Sequence, residues 1–365
     1  MRIAQISPLI ESVPPKLYGG TERVVSYLTE ELVRLGHDVT LFASGDSLTA
    51  AELVPCVSRA IRLNPDIRDP LVYLVLMLEK VRSMADSFDI LHFHVDYVHF
   101  PIFRDLVPRA VTTLHGRQDL PDLPPIYAEF DDMPLISISN HQRAPIQYAN
   151  WAKTIYHGLP TSLYPMTEKP KDGYLAFLGR IHHEKRPDRA IEIAKRVGIP
   201  LKIAAKLDAD GLDYYHEVLE PMLDDPLVEF VGEIGEKDKA EFLGNASVVL
   251  FPIDWPEPFG LTMIESMACG TPVIAWPNGS VPEIIDHGVT GFHVTSVEEA
   301  AAFVPKAMTL DRKRIRGVFE ERFSARRMAK DHIALYQELL SEKEPEVKLS
   351  KQHFTTSSAR KSQAS

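Results

Sequence analysis

The chain is poor in cysteine, in net positive charge and in long apolar runs, and each shortage excludes a class of protein. Its 365 residues include two cysteines, Cys56 and Cys269, so we expect unpaired buried thiols in a reducing compartment rather than a disulfide framework. The formal net charge of −11 argues against general binding of nucleic acid, which requires a basic face. No apolar run reaches the length of a membrane span, so no transmembrane segment is expected.

Several short signatures are also missing. The first residues lead directly into a predicted strand without a signal-peptide pattern, which predicts a cytoplasmic protein. There is no Walker A loop and no G-x-S-x-G turn, and the first strand–helix connection lacks the G-x-G-x-x-G of dehydrogenases. The remaining composition, 45% hydrophobic and 25% charged, is that of a globular protein large enough for two domains.

Strands alternate with helical patterns through most of the chain, which predicts an α/β fold of parallel sheets with helices on both faces. In the first half we predict helices at 20–35, at 70–85 and after Asn140, and strands at 3–7, 39–43, 90–95, 110–114, 135–139 and 154–156. In the second half we predict strands at 174–178, 201–205, 228–231, 248–251 and 272–275.

A Pro-rich stretch at 159–171 interrupts this alternation and is typical of an interdomain linker. We therefore predict two doubly wound, Rossmann-like domains that face each other across a cleft, at 1–165 and 166–322. A last amphipathic helix at 323–340 is expected to pack back toward the first domain. The polar segment 341–365 is expected to be disordered. Because ligands of such sheets bind at the carboxyl ends of the strands, two facing domains form one large site.

The most specific motif is Glu257-Pro-Phe-Gly-Leu-Thr-Met-Ile-Glu265, which follows an apolar strand. A helix is expected to begin near Gly260, and its free N–H groups and partial positive charge suit a phosphate. Glu265 lies about 7 Å further along the helix axis, at 1.5 Å per residue. One ligand could therefore meet carboxylates on both sides of its phosphates, as a nucleotide-sugar would.

A second motif, Gly179-Arg180-Ile-His-His-Glu-Lys185, follows the first predicted strand of the second domain. The Arg180 fork and the Lys185 ammonium both suit phosphate oxygens. Alone, this segment reads equally well as a solvated basic loop. Beside the 257–265 motif in the same domain, the phosphate interpretation is favoured.

The two motifs together resemble the retaining family 4 glycosyltransferases of GT-B fold. The resemblance extends to Tyr18-Gly-Gly-Thr-Glu22 after the first strand, to Gly36-His-Asp-Val39, to Thr113-Leu-His115-Gly, and to Ser280-Val-Pro-Glu-Ile284. It covers roughly residues 1–340. The 257–291 block is highly specific, whereas each of the other pieces alone is weak.

The resemblance implies a role for each matching residue. Arg180 and Lys185 would hold the donor diphosphate, Glu265 the ribose hydroxyls and Glu257 the donor sugar. His115 would contact that sugar near the reacting carbon. The alternative is that His115 is a hydrogen-bonded histidine with a purely structural role at a strand end. Backbone groups would come from Gly19 and Gly20 beside the phosphate and the acceptor, and from Phe259, Gly260, Leu261 and Thr262 beside the phosphate and the sugar.

The implied activity is transfer of a hexose, with retention and without a metal or other cofactor, from a nucleoside-diphosphate sugar to a hydroxyl acceptor. UDP-glucose is the suggested donor, and the acceptor is a small molecule or a glycan. The alternatives are a nucleotide-sugar epimerase or hydrolase of the same fold and a non-catalytic nucleotide-sugar-binding module. Peripheral membrane contact stays open, but the mixed charges of the predicted 20–35 helix do not favour an anionic surface.

Two other short patterns have residue types that could bind a metal. Asp208-Ala-Asp210 is a D-x-D sequence, but it falls in a polar turn where Asp210 is expected to cap a helix. His92-Phe-His94 places two imidazoles on one face of a strand without a matching third ligand. His94 and Asp96 are instead predicted to line the acceptor side of the cleft.

Overall fold

The computed structural model describes residues 1–16, 19–171 and 173–341. Tyr18 and the predicted tail after Ser341 therefore lie outside the described residues. Within those ranges the strands are β1 Arg2–Ile6, β2 Asp38–Ser44, β3 Glu52–Val57, β4 Ile90–Phe93, β5 Ala110–Thr113, β6 Leu135–Ser137, β7 Trp151–Thr154, β8 Tyr174–Arg180, β9 Leu201–Lys206, β10 Val228–Gly232, β11 Ala246–Phe251, β12 Val273–Ala275 and β13 Gly291–His293.

Helices connect these strands, and short 3₁₀ or π turns add to them at Ile61–Leu63, Ala85–Ser87, Arg104–Leu106, His141–Ile146, Ala209–Gly211, Tyr215–Leu219 and Glu220–Met222. The α-helices in the described ranges are α1 Gly20–Arg34, α2 Pro70–Met84, α3 Phe100–Phe103, α4 Pro124–Glu129, α5 Pro187–Val197, α6 Leu212–Tyr214, α7 Glu236–Gly244, α8 Leu261–Ala268, α9 Val281–Ile284, α10 Val297–Ala307, α11 Arg312–Arg322 and α12 Ala325–Ser341.

Both sheets are parallel and share one strand order. The first runs β3-β2-β1-β4-β5-β6-β7 and the second β10-β9-β8-β11-β12-β13. In each sheet the chain winds outward from a central strand in one direction and then in the other, so the order reverses between β1 and β4 and between β8 and β11. These are the crevices where doubly wound sheets bind ligands. The predicted fold class is confirmed.

The predicted elements differ from the structure mainly at the sheet edges. β3 was not predicted, because its sequence contains Pro55 and is half exposed, as an edge strand tolerates. β13, three residues long at one edge of the second sheet, was also missed. β7 begins at Trp151, three residues before the predicted strand, and the segment after Asn140 is a 3₁₀ turn containing Pro145 rather than an α-helix.

The chain returns to the first sheet at its end. The backbone of Leu159 is bonded on both sides to the start of this return, through Phe323 O at 2.9 Å and Ala325 N at 2.8 Å. α12 then runs beside α1, and its Tyr336 hydroxyl lies 2.7 Å from His92 Nδ1 under the first sheet. The chain therefore passes between the two sheets twice, once after Leu159 and once after Phe323, and these two adjacent segments close one side of the cleft.

Both cysteines are unpaired, as predicted, although Cys56 is half-buried and only Cys269 is buried. Cys56 lies on β3 and Cys269 follows the last residue of α8, so the two thiols belong to different domains. In the described ranges, no helix combines the length and the apolar character that crossing a bilayer would need.

Candidate active site

A cavity of about 670 Å³ lies between the two sheets. It opens at the carboxyl ends of β1, β8 and β11, where the strand order reverses. Eleven of the predicted site residues line it: Gly19, Gly20, His115, Arg180, Lys185, Glu257, Phe259, Gly260, Leu261, Thr262 and Glu265. Residues that are 246 positions apart in sequence are therefore brought to one chamber.

The floor of the cavity is the N-terminus of α8. Gly260 precedes the helix in the left-handed conformation with φ 77°, and no described side chain caps the first turn. A Cβ on Gly260 would lie 2.7 Å from Met263 Cε and 3.3 Å from Glu257 Cγ, so this position requires glycine both for its backbone and for space. The first N–H groups of α8 are consequently available to an anion in the cavity.

Glu257 is buried at 8% exposure on the loop before α8. Its carboxylate forms an ion pair with Lys185 and accepts a hydrogen bond from Trp255 Nε1 at 2.9 Å. The loop rests on Gly279, where a Cβ would collide with the Glu257 backbone, and Ser280 N donates to Glu257 O at 2.9 Å. The Gly-Ser pair after β12 thus fixes the position of Glu257.

Trp255 is a cavity residue that the sequence analysis missed. The Lys185 ammonium lies 4.6 Å from the centre of its indole ring, within cation–π range, while the indole N–H holds Glu257. One side chain therefore orients both members of the ion pair. The sequence feature that could have identified it is its position, as an aromatic residue two positions before the first glutamate of the motif.

Arg180 ends β8 and points into the cavity beside Lys185. Its guanidinium lies 3.3 Å from Asp210 Oδ2. Asp210 was predicted to cap a helix, and this is wrong: Ala209–Gly211 is a 3₁₀ turn, and α6 follows Gly211 without a side-chain cap from the described residues. The carboxylate instead balances the Arg180 charge.

Glu265 lies at the opposite side of the α8 N-terminus from Glu257 and is 2% exposed. Its Oε1 accepts from Lys239 Nζ at 2.9 Å and from the Tyr164 hydroxyl at 3.2 Å. Lys239 on α7 was not predicted, because nothing in a charged helix marks one lysine as facing a cavity. The predicted arrangement of two carboxylates flanking a helix start is present, with each carboxylate held by a lysine.

His115 lies above this floor, at the end of β5 on the facing sheet. Its Nε2 is 2.9 Å from His94 Nδ1, and His94 Nε2 is 2.9 Å from Gln5 Oε1. Because the Gln5 oxygen only accepts, His94 donates from Nε2 and must accept at Nδ1, so His115 donates from Nε2. His115 Nδ1 is then a bare acceptor, buried and without a hydrogen-bond partner among the described residues.

The imidazoles around His115 are all neutral. Burial, and to a smaller extent the neighbouring His332, lower the pKa of His115 to about 3. Burial likewise lowers the pKa of His94 and of His157, whose ring stacks on His115 with centroids 5.2 Å apart. His115 therefore stays uncharged across the physiological range of pH and presents no cation to a ligand.

Ion pairs between described residues cross the cleft. Arg23 of α1 pairs with Glu236 of α7, and Arg117 lies 3.1 Å from Glu184. The glycines of the first loop also approach the second sheet, since a Cβ on Gly20 would lie 3.8 Å from Leu261 Cδ1. The two domains thus meet closely around the cavity, with the glycine loop directly over the start of α8.

The predicted acceptor residues are placed differently. His94 and Asp96 are not among the described residues that line the cavity. His94 is buried beneath His115, and Asp96 is exposed beyond β4 in a left-handed conformation with φ 53°. Neither side chain lines the cavity, and the acceptor role predicted for them stays a prediction.

One group of possible metal ligands occurs in the described residues, formed by His182, His183 and Glu184 in the turn after β8. Glu184 is already paired with Arg117, and Arg180 lies next to the group in sequence. Only His183 of the three is exposed, and the adjacent cations Arg117 and Arg180 oppose binding of a metal ion here. Asp208 is engaged by Lys206 at 2.7 Å.

Comparison with known proteins agrees with this architecture. Residues 18–159 match the family model "Glycosyltransferase Family 4", and residues 165–316 match "Glycosyl transferases group 1". An uncharacterised glycosyltransferase of Methanocaldococcus jannaschii is 25% identical in an alignment of 340 positions that covers 80% of this chain and 85% of the relative. The N-acetyl-alpha-D-glucosaminyl L-malate synthase of Bacillus anthracis is 23% identical, over 88% of this chain and 94% of the relative.

Solved structures share the fold. Sucrose-phosphate synthase from Thermosynechococcus elongatus superimposes with a TM-score of 0.74 at 20% identity, over 94% of this chain and all of the other. Anabaena HepE in complex with UDP-glucose gives 0.69 at 19% identity, with 94% and 100% coverage. Two facing parallel sheets, a cavity at both switch points and matches to two glycosyltransferase models lead to one assignment: the chain is a glycosyltransferase enzyme of GT-B fold, similar to family 4.

Proposed function

We propose that this enzyme transfers a hexosyl group from a nucleoside-diphosphate sugar to a hydroxyl acceptor, with retention and without a metal. The observation that carries the proposal is the floor of the cavity, where two cationic side chains and a free helix N-terminus lie between two buried carboxylates. A diphosphate fits the cations and the helix, and hydroxyl-bearing sugars fit the carboxylates on each side. HepE, whose structure contains UDP-glucose, supports that compound as the donor to test first.

Lys185 and Glu257 neutralise each other in an ion pair, and each of them could instead bind a part of such a donor. When a diphosphate enters, Lys185 would turn to the phosphate oxygens, and Glu257 would then accept hydrogen bonds from the sugar hydroxyls. Trp255 contacts both groups and would keep each in place after the exchange. The bare His115 Nδ1 would be satisfied by a hydroxyl of the same sugar.

Breakage of the sugar–phosphate bond places negative charge on the leaving diphosphate and positive charge on the sugar. Arg180 and the α8 N–H groups lie on the diphosphate side, and Lys185 would join them when the donor binds, so that all three stabilise that charge during the reaction without further reorganisation. The departing phosphate would take the acceptor proton on the same face. The cross-cleft contacts around Gly20 would exclude water from the activated sugar.

We expect Glu265→Gln to weaken binding of the cognate nucleoside diphosphate by roughly 10²-fold, since it removes about 3 kcal/mol of charged hydrogen bonding to two ribose hydroxyls. The nucleotide would first be identified by thermal shift among UDP, GDP and ADP, because saturation at a hundred times Kd adds about 2.7 kcal/mol. Calorimetry would then compare that nucleotide with its 2′,3′-dideoxy analogue.

The dideoxy analogue makes the assignment specific. It should bind wild type and Glu265→Gln equally weakly, because the hydroxyls that the carboxylate recognises are absent. Glu241→Gln on exposed α7 surface is the matched control and should leave both affinities unchanged. If Glu265→Gln weakened binding of the dideoxy compound as strongly as binding of the parent, Glu265 would not be the ribose ligand.

Product analysis with and without acceptor separates transfer from epimerisation or hydrolysis. Binding of the donor without any turnover would favour a non-catalytic module.

Turnover is expected to continue in EDTA. Arg180, Lys185 and the α8 N-terminus already supply positive charge where a metal would bridge the diphosphate. Initial rates with EDTA and with added Mn²⁺ should agree within error, and His183→Gln should match wild type in both. A loss of activity in EDTA that Mn²⁺ restores would overturn the metal-free proposal.

A further inference from the structure

Helix α2 exposes an aliphatic stripe that has no partner within the described chain. Leu71, Val72, Val75 and Leu76 are 60%, 50%, 54% and 56% exposed. They recur at i, i+1, i+4 and i+5, which places them on one face of the helix, while Met77, Leu78 and Val81 are buried on the opposite face. Four large aliphatic side chains side by side on a surface indicate a contact with another molecule.

We propose that this stripe packs against the same stripe of a second copy of the chain, with the two α2 helices antiparallel about a two-fold axis. In a two-fold contact each residue meets a fixed counterpart on the other copy. With the axis between Tyr73 and Leu74, Leu71 meets Leu76 and Val72 meets Val75. Every member of the stripe then meets another member, so the apolar surface is covered completely.

The same axis also pairs opposite charges. Arg68, just before the helix, meets Glu79, which continues the exposed face one turn after Val75. Both are exposed, and neither has an ion-pair partner within the described residues. The apolar and charged positions therefore agree on one register, and a shift of either helix by one turn would lose both sets of contacts.

A lipid surface fits the stripe less well. The stripe has no aromatic residue, and the exposed charges along it are of mixed sign, with Asp66, Asp69 and Glu79 beside Arg68 and Lys80, in a chain of net charge −11. Anionic membranes select helices rich in lysine, arginine and aromatic residues. The contact with a second copy is small, because one helix stripe covers less than the roughly 1,200–2,000 Å² of a standard interface. We therefore expect a weak dimer that dissociates on dilution.

Charge reversal tests the register directly. Sedimentation of the full chain over a range of concentrations should show a monomer–dimer equilibrium for wild type. Arg68→Glu and Glu79→Arg should each raise the dissociation constant by about tenfold or more, since each places like charges across the axis. The double variant restores opposite charges and should dimerise like wild type. Arg314→Glu, an exposed reversal on α11, is the matched control and should not change the equilibrium.

A second variant removes the apolar contact. Val75→Glu places a carboxylate in the stripe at an exposed site, so the fold, checked by circular dichroism, should persist while the dimer is lost. None of the altered residues lines the cavity, and donor binding should be unchanged in all variants. A wild type that stays monomeric, or a double variant as weak as the singles, would overturn the proposal. So would flotation of monomeric wild type, but not Val75→Glu, with phosphatidylcholine–phosphatidylglycerol vesicles.

Discussion

Lys185→Ala is expected to lower kcat by about 10²–10³, the usual cost of removing one preorganised charge from a developing anion. The effect should fall on kcat more than on KM, because the negative charge on the diphosphate grows as the glycosidic bond breaks. Arg180 and the α8 N-terminus remain in the variant, so a residual rate should survive. Steady-state kinetics with the identified donor measures both parameters.

Two variants separate this effect from a loss of structure. Lys195→Ala removes a lysine from the outer end of α5, where it pairs with Asp225 at 3.1 Å, and should keep wild-type kinetics. Lys185→Ala also leaves Glu257 buried without its cation, so Lys185→Ala/Glu257→Gln should recover stability but not kcat. A variant that lost affinity for the donor at unchanged kcat would show that Lys185 binds the ground state only.

The fold and the donor side of the site could be predicted from the sequence because their signals are local. Alternating strands and helices specify a doubly wound sheet, and that architecture brings the ends of β8 and β11 together. Arg180, Lys185 and the 257–265 segment are therefore neighbours even though they are about 70 residues apart. Gly260 marks the start of α8, where a left-handed residue must precede the helix.

The residues that could not be predicted act across long sequence separations. Lys239 reaches Glu265 from α7, a helix of mixed charge in which no sequence pattern distinguishes this lysine from Lys237. Tyr164 comes from the linker. Gln5 and Tyr336 meet near His92 from opposite ends of the chain, at 3.4 Å from each other. No local sequence pattern predicts such long-range contacts. Yet these contacts determine whether His94 faces a ligand or serves as a hydrogen-bond acceptor beneath His115.

The buried histidines should make the protein sensitive to acid. Burial lowers the pKa of six imidazoles well below the unfolded value of about 6.5, to about 3 for His115 and about 4 for His332, while His92, His94, His99 and His157 are shifted in the same direction. Above the unfolded pKa both states are neutral and this contribution to stability is complete. As pH falls below it, the unfolded chain binds protons that the folded chain does not, so the stability is lost.

The size of the loss follows from linkage. Between pH 7 and pH 5.5 each histidine that stays neutral in the folded chain lowers the free energy of unfolding by about 1 kcal/mol, so six together lower it by several kcal/mol. A typical domain has about 5–15 kcal/mol in total, so this loss is a large part of the stability. Burial raises the pKa of Glu11, Glu22 and Asp96, which opposes this trend below pH 6, but three carboxyls do not offset six imidazoles.

Urea unfolding at a series of pH values measures the effect, and single substitutions identify its source. His332→Gln should reduce the proton uptake on unfolding by about one at pH 5.5 and flatten the stability profile, whatever it does to stability at pH 7.5. His216→Gln, at an exposed histidine paired with Glu220, should leave the slope unchanged. A profile that is flat from pH 7.5 to 5.5 would mean that the imidazoles accept protons in the folded state. In that case His115 would be charged at the cavity, and its bare nitrogen would be a donor to the ligand instead of an acceptor.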